Sequence, residues 1–197
     1  QRGRGPVARM SFGGAAHNPF CAARFAPGVL GWLGDDLGAL ARRALEPGAR
    51  HQIIGPHGSG KSTLLIELER HATRAGWSVK RVRGSRGLGP GAKADLWLVD
   101  EYQELSVWDR WRLRRWPSAL VVTAHRDVGL PTLCERAVTA ELAAAVVQRL
   151  GAGHGFSAPS PAELGVLLGR HSGNLREVLF ELYDQVERQC RGAPALR

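Results

Sequence analysis

The eight residues at positions 55–62 read Gly-Pro-His-Gly-Ser-Gly-Lys-Ser and match the pattern G-x-x-x-x-G-K-[ST] in full. The residues before them, 51–54, predict a short buried strand, and residues 63–68 begin a helical pattern. A strand, a glycine-rich loop and a helix in this order direct backbone N–H groups and a helix N-terminus at phosphate. The sequence therefore predicts a chain folded around a site for a nucleoside triphosphate and magnesium.

Each residue type in this loop has its own chemical task. The glycines permit a tight backbone path and a close approach of the ligand, which Cβ atoms would block. Lys61 is expected to reach the β- and γ-phosphates, and the Ser62 hydroxyl is expected to hold the metal. The predicted nucleotide-contacting residues of the loop are Gly55, Pro56, His57, Gly58, Ser59, Gly60, Lys61, Ser62 and Thr63.

Two acidic residues follow a second apolar run. Asp100 and Glu101 come directly after residues 96–99, Leu-Trp-Leu-Val, which predict a buried strand. In an α/β sheet the carboxyl ends of the strands are where ligands bind. Phosphoryl transfer needs mainly positioning and charge neutralisation, so Asp100 is assigned to the magnesium shell and Glu101 to the polarisation of the attacking water.

Three further polar residues are candidates for contact with phosphate. Thr123 and His125 end the next predicted strand, and either one could donate a hydrogen bond to the γ-phosphate or to the attacking water. Periodicity does not choose between them. Arg176 lies in the first turn of a predicted helix, where a cation opposes the helix dipole by roughly 0.3–1 kcal/mol. That placement indicates a phosphate contact, and pairing with Glu177 is the alternative.

Charge and aromatic residues raise the question of partners beyond the nucleotide. The net charge is +9 and the isoelectric point is about 10.6, which is typical of nucleic-acid contact but also of an arginine-rich, GC-rich coding sequence. Trp108, Trp111 and Trp116 alternate with arginines in one predicted helix. Such a surface suits stacked bases or a protein partner. We expect a protein partner, with nucleic acid as the alternative.

Several protein classes are excluded by what the sequence lacks. There is no apolar run long enough to span a membrane and no signal peptide, so we expect a cytoplasmic protein. The cysteines at positions 21, 134 and 190 are odd in number and far apart, which indicates neither a disulfide framework nor a metal site.

The alternation of predicted elements gives the domain organisation. Residues 1–18 are expected to be a disordered leader, of which residues 1–9 precede Met10 and are set aside as leader or added residues. Strands and helices alternate over residues 19–139, whereas residues 140–197 are helical only. We therefore predict an α/β, three-layer nucleotide-binding core with a mostly parallel five-stranded sheet, followed by a small C-terminal all-helical lid.

Taken together, these motifs resemble the AAA+ superfamily of P-loop NTPases. The sequence Gly-Asn-Leu-Arg-Glu at 173–177 is similar to a lid motif of its initiator and STAND-type branch. The resemblance covers about residues 48–190. It implies that residues 55–63 are Walker A, that Asp100 and Glu101 are Walker B, that Thr123 or His125 is sensor 1, and that Arg176 is sensor 2.

The resemblance also implies an activity, namely Mg²⁺-dependent binding of ATP, with hydrolysis, coupled to a conformational change. A nucleotide-gated switch or scaffold with little turnover and a nucleic-acid-associated ATPase are the alternatives. In resembling ATPases the N-terminal segment lies along the adenine, so Phe20 and Phe25 are candidate base contacts, with core packing as the alternative.

Two parts of the chain depart from the family pattern. The segments between Arg83 and Asp95 and between Arg126 and Arg136 are too short for helices that the family usually has there. Arg126 and Arg136 are the candidates for an arginine finger, but these short segments do not predict a ring-forming hexamer.

Overall fold

The computed structural model describes residues 18–89, 93–154 and 156–192. The five strands of the described residues are β1 (Arg50–Ile54), β2 (Val79–Arg83), β3 (Leu96–Asp100), β4 (Ala119–Ala124) and β5 (Thr132–Glu135). Their six α-helices are α1 (Leu37–Ala44), α2 (Lys61–Arg74), α3 (Val107–Arg115), α4 (Ala140–Gly151), α5 (Pro161–Arg170) and α6 (Leu175–Gly192).

The strands form one parallel sheet in the order β2-β3-β4-β1-β5. Ile54 pairs with Ala124 of β4 and with Glu135 of β5, so these three strands end at the same level. Arg83 pairs with Asp100 in the same way at the other side of the sheet. The five-stranded parallel sheet predicted from the sequence is confirmed.

Apolar residues cover both faces of the sheet. In β3, Leu96 and Leu98 pack with residues of α1 and α2, whereas Trp97 and Val99 pack with Leu113 of α3. All of the strand residues from Leu96 to Val99 are buried. This two-sided burial is what a continuous apolar run in a parallel sheet predicts, and it confirms the three-layer α/β architecture.

Side-chain caps determine where several helices begin. The Asp36 carboxylate accepts hydrogen bonds from the N–H groups of Gly38 and Ala39 at the start of α1. Ser106 caps α3, and Ser160 with Glu163 forms the predicted capping box of α5. These caps satisfy N–H groups that have no partner within the helix.

The last strand differs from its predicted position. The sequence pattern placed it at about 134–139, but β5 spans Thr132–Glu135. Its neighbour β1 ends at Ile54, whose carbonyl accepts a hydrogen bond from the N–H of Arg136. Beyond this point β5 has no strand to pair with, and it ends. In the loop predicted at 84–94, residues Gly84–Arg86 form one turn of 3-10 helix.

The chain divides into two compact units, of which residues 31–138 form one and the residues before 31 and after 138 form the other. The first unit holds the sheet and α1–α3. In the second unit, Asn18 is buried and its amide donates to the Tyr183 carbonyl and the Glu187 carboxylate. The expected disorder of residues 1–18 concerns residues outside the described part, apart from Asn18.

None of the helices in the described residues is both long enough and apolar enough to cross a membrane.

Candidate functional site

The parallel pairing brings the predicted site residues to one edge of the sheet. The loop 55–60 follows β1, His125 follows β4, and Asp100 ends β3. Because β4 lies between β1 and β3, its carboxyl end stands between the loop and the acidic pair. All of these residues belong to the unit formed by residues 31–138.

Two glycines are required by the geometry of the loop. Gly60, directly before α2, has φ of 89°, a left-handed conformation that glycine adopts without strain. A Cβ atom at Gly55 would overlap the carbonyl oxygen of Arg136 and lie 2.8 Å from the Ser59 hydroxyl. The start of the loop is therefore held tightly against the residue that follows β5.

Lys61 is the first residue of α2 and is only 7% exposed. Its ammonium group donates to the carbonyl oxygens of Gly55 and Pro56 at 2.6 Å and 2.7 Å. Burial lowers the pKa of Lys61, and the charges of Asp100 and Glu101 oppose that shift. A cation held at a helix N-terminus by weak neutral acceptors is well placed to exchange them for phosphate oxygens.

The oxygen donors at this edge fit a magnesium ion and phosphate. The Ser62 hydroxyl and the Asp100 carboxylate are the hard oxygen ligands that Mg²⁺ prefers, and it takes few protein ligands beside phosphate and water. Within the described residues, the buried Ser59 hydroxyl has no hydrogen-bond partner. A buried hydroxyl without a hydrogen-bond partner lowers the stability of the fold unless a ligand supplies the partner.

The Thr123 hydroxyl links the two acidic residues. It donates to Oδ1 of Asp100 at 2.6 Å and accepts from the backbone N–H of Glu101 at 2.9 Å. Thr123 is fully buried in β4. The structure therefore places Thr123 as a residue that positions Asp100 and Glu101.

Glu101 is held from two sides. Its backbone has φ of 58°, in the left-handed region that is uncommon for a residue other than glycine. Its carbonyl oxygen lies so close to Gly84 that a Cβ atom there would overlap it. The Glu101 carboxylate accepts two hydrogen bonds from the Arg83 guanidinium, at 2.6 Å and 3.0 Å, and this contact lowers the pKa of Glu101.

His57 and His125 form a stacked pair beside Lys61. Their ring centroids are 3.8 Å apart and the rings are tilted by 37°. Nδ1 of His125 lies 3.4 Å from the Lys61 ammonium and 3.3 Å from the Gly55 carbonyl oxygen. Partial burial is the main cause that lowers the pKa of His125, and the Lys61 charge adds to it.

Three predicted site residues lie in the other unit. The Phe20 ring is fully buried and packs edge-on against Phe156, and Phe25 packs in the same manner against Phe180. In Arg176, the backbone N–H donates to the Asn174 side chain at 3.1 Å at the start of α6. The base contacts and the sensor role expected of these residues stay predictions.

The two arginine-finger candidates differ in exposure. Arg136 is only 7% exposed, and its guanidinium stacks 4.5 Å from the centre of the Trp32 ring. A side chain held in this way cannot reach a neighbouring subunit, which argues against Arg136 as a finger. Arg126 is exposed.

Sequence reasoning missed two of these contacts. It did not pair Arg83 with Glu101, although both end predicted strands and share one edge of the sheet. It also did not stack His57 on His125. Both contacts follow from the rule that functional residues gather at the carboxyl ends of parallel strands. To apply the rule one must know the strand order, which the sequence pattern did not supply.

Comparison with known proteins supports the fold. No protein-family model and no curated protein matches the chain significantly. Among solved structures, a DNA replication initiation factor matches 79% of this chain, with 16% identity and a TM-score of 0.56. The replication initiator DnaA bound to AMPPCP and single-stranded DNA matches 81% of it, with 16% identity and a TM-score of 0.55.

Domain III of the Thermotoga maritima replication initiation protein DnaA matches 83% of this chain, with 15% identity and a TM-score of 0.57. The chain shares the fold of these replication initiators. The resemblance predicted from the sequence is therefore confirmed at the level of the fold. The match spans 60% of the first of the three solved chains, 66% of the second and 89% of the third.

The position of Thr123 gives a testable prediction about the acidic pair. Thr123→Val keeps the shape but leaves Asp100 Oδ1 and the Glu101 N–H without their partner, so we expect the free energy of unfolding to fall by about 1–3 kcal/mol. Thr123→Ser keeps the hydroxyl and should lose less. Urea denaturation measures both variants, and equal losses would show that the hydroxyl does not hold the pair.

Proposed function

We propose that this chain binds ATP with Mg²⁺, hydrolyses it, and couples the nucleotide state to a conformational change. The observation that carries the proposal is the convergence at one sheet edge of the complete phosphate loop, Lys61 at a helix N-terminus, and the Asp100–Glu101 pair. This is the arrangement of positive, hydroxyl and carboxylate groups that phosphoryl transfer requires.

The residues divide the work by their chemistry. Lys61 and the backbone N–H groups of the loop bind the phosphates, and the Ser62 hydroxyl and Asp100 would hold Mg²⁺. When bound, the ion neutralises charge on the phosphate oxygens. Glu101 accepts a hydrogen bond from the attacking water and orients it. His125, His57 and, from the lid, Arg176 are proposed to contact the γ-phosphate, and Phe20 and Phe25 the base.

The Arg83–Glu101 ion pair bears on the hydrolysis step. A carboxylate that accepts two hydrogen bonds from a guanidinium is a weaker base toward water, because the arginine already stabilises its charge. Arg83 is largely exposed, however, so solvent and salt weaken the pair. Glu101 can therefore exchange Arg83 for water at small cost, and the pair tempers the rate of hydrolysis without preventing it.

Nucleotide binding is tested by removing the Lys61 charge. Lys61→Ala deletes charge-assisted hydrogen bonds to phosphate, each worth about 1.5–3 kcal/mol, so we expect affinity for ATP to fall on the order of 100-fold or more. Lys80→Ala, at an exposed lysine of β2, removes the same charge away from the loop and should bind as the wild type does. Calorimetry measures both. Unchanged affinity in Lys61→Ala would remove the proposal.

Steady-state phosphate release distinguishes an ATPase from a nucleotide-gated switch. For an ATPase, Glu101→Gln should keep ATP binding and lose most turnover, because the amide cannot orient the water as the carboxylate does. Arg83→Ala is expected to raise turnover. The salt dependence of turnover should then disappear, because the ion pair that salt weakens is gone. If the wild type releases no phosphate and retains nucleotide through purification, the chain acts as a switch.

An exposed face of α3 favours nucleic acid as a second candidate function. Val107 and Trp108 are each 76% exposed and Trp111 is 47% exposed. The Arg115 guanidinium stacks 4.1 Å from the centre of the Trp111 ring. The residues of this α3 face are Val107, Trp108, Trp111, Arg114 and Arg115.

The composition of the α3 face suits a single strand. Indole rings can stack on bases of any sequence, and the arginines can contact phosphates. No acidic residue belongs to the face, since Asp109 of the same helix pairs with Arg112 on its other side. The DnaA structure that this chain resembles is bound to single-stranded DNA. We propose that a nucleic-acid strand is the partner at this face.

Binding of a labelled mixed-sequence oligonucleotide tests the α3 face. Trp108→Ala with Trp111→Ala should weaken binding by at least about tenfold, since stacking contributes about 1–3 kcal/mol per base. Arg114→Ala with Arg115→Ala should also flatten the salt dependence, whereas Arg74→Ala with Lys80→Ala removes equal charge elsewhere and should not. Absence of oligonucleotide binding at low salt would contradict the proposal. So would an equal loss of binding in the two double charge variants.

A further inference from the structure

The stacked pair of His57 and His125 has a chemistry that the loop pattern does not require. One ring belongs to the phosphate loop and the other follows β4, and their centroids are 3.8 Å apart. Lys61, which is expected to bind the terminal phosphates, lies 3.4 Å from Nδ1 of His125. Two titratable rings therefore lie where a bound triphosphate and a bound diphosphate would differ most in charge.

The surroundings of His125 disfavour its protonation before nucleotide binds. Burial and the Lys61 charge both lower the pKa of His125, and a proton on one ring disfavours a proton on the other. Glu101 is the acidic group that faces both rings. It is itself paired with Arg83, which limits its effect. Since an ordinary histidine has a pKa near 6.5 and the pKa of His125 is lowered, His125 is mainly neutral at neutral pH.

We propose that the His57–His125 pair distinguishes a nucleoside triphosphate from a diphosphate, and that it takes up a proton from solvent when a γ-phosphate binds. The inference rests on the proposed nucleotide site and adds to it the residues that determine specificity. The only bond formed is the N–H bond at an imidazole nitrogen.

Hydrogen bonding explains why a proton is needed. When a phosphate attracts the Lys61 ammonium, the Gly55 carbonyl loses the hydrogen bond that Lys61 donates to it. This carbonyl lies 3.3 Å from Nδ1 of His125. Once Nδ1–H donates to that carbonyl, Nε2 of a neutral ring is an acceptor and repels a phosphate oxygen. The imidazolium form donates from both nitrogens. A diphosphate brings less charge to the pair and should leave it neutral.

The sign of the pH dependence follows from this difference. The pKa of the pair is higher with triphosphate bound than without it, so affinity rises as pH falls from about 8 to about 6 and levels off below the free-state pKa. Because the slope of log affinity against pH equals the number of protons taken up, an uptake of about 0.3–0.7 proton gives a two- to fivefold gain per pH unit. Affinity for ADP should change little.

Calorimetry of the full chain with AMPPCP and with ADP, at saturating Mg²⁺, measures the proton uptake. Titrations at one neutral pH in two buffers of different ionisation enthalpy give the number of protons per nucleotide. We expect about 0.3–0.7 proton for AMPPCP and nearly none for ADP. In the double variant His57→Gln with His125→Gln, the proton uptake on AMPPCP binding and the preference for AMPPCP over ADP should both be lost. ADP should still bind.

Protons carried by the nucleotide itself cancel in the difference between the wild type and this variant. His71→Gln, in α2, is the matched control and should keep the uptake. His125→Gln alone, which removes the ring beside the Gly55 carbonyl, makes the same test if the double variant does not fold. Nucleotide binding with equal uptake in wild type and variant would overturn this inference and leave the proposed function standing, whereas absence of any nucleotide binding would overturn both.

Discussion

The parallel pairing of β3, β4 and β1 is the constraint on which the candidate site depends. Parallel strands must all end at the same edge, so an apolar core on both faces of the sheet places three short polar segments together. The central strand β4 has the decisive position, since its buried Thr123 reaches across to Asp100 and its next polar residue, His125, faces the phosphate loop. The helices determine burial, whereas strand order determines which polar groups meet.

Electrostatics at this edge are balanced between two groups of opposite charge. The Lys61 cation lies on the loop side, beside the two histidine rings, and the Asp100 and Glu101 carboxylates lie on the β3 side. Burial lowers the pKa of Lys61, and the charges of the two acids oppose that shift. A buried cation without a close counter-ion is unfavourable. We propose that part of the free energy that this costs the folded chain is recovered when a phosphate anion binds.

Local motifs were predictable from the sequence, whereas contacts between strands were not. The phosphate loop, the acidic pair and the capping box at Ser160 depend on residues within a few positions of each other, and they could be assigned directly. The bond from Thr123 to Asp100 and the ion pair of Arg83 with Glu101 depend on which strands are neighbours. Sequence periodicity identified Thr123 as a polar strand end but could not show that its hydroxyl is already bonded to Asp100.

This bond separates the roles of Thr123 and His125. A hydroxyl has one proton to donate, and that of Thr123 is donated to Asp100, so it has none left for a phosphate oxygen. Its lone pair accepts from the Glu101 N–H. His125 lies nearer the loop and has a second ring nitrogen whose donor capacity depends on protonation. Of the two sensor 1 candidates, we therefore propose His125 for phosphate contact and Thr123 for the positioning of the acids. The distinction predicts different defects, because loss of Thr123 disturbs the acids in every nucleotide state, whereas loss of His125 matters only when a γ-phosphate is bound.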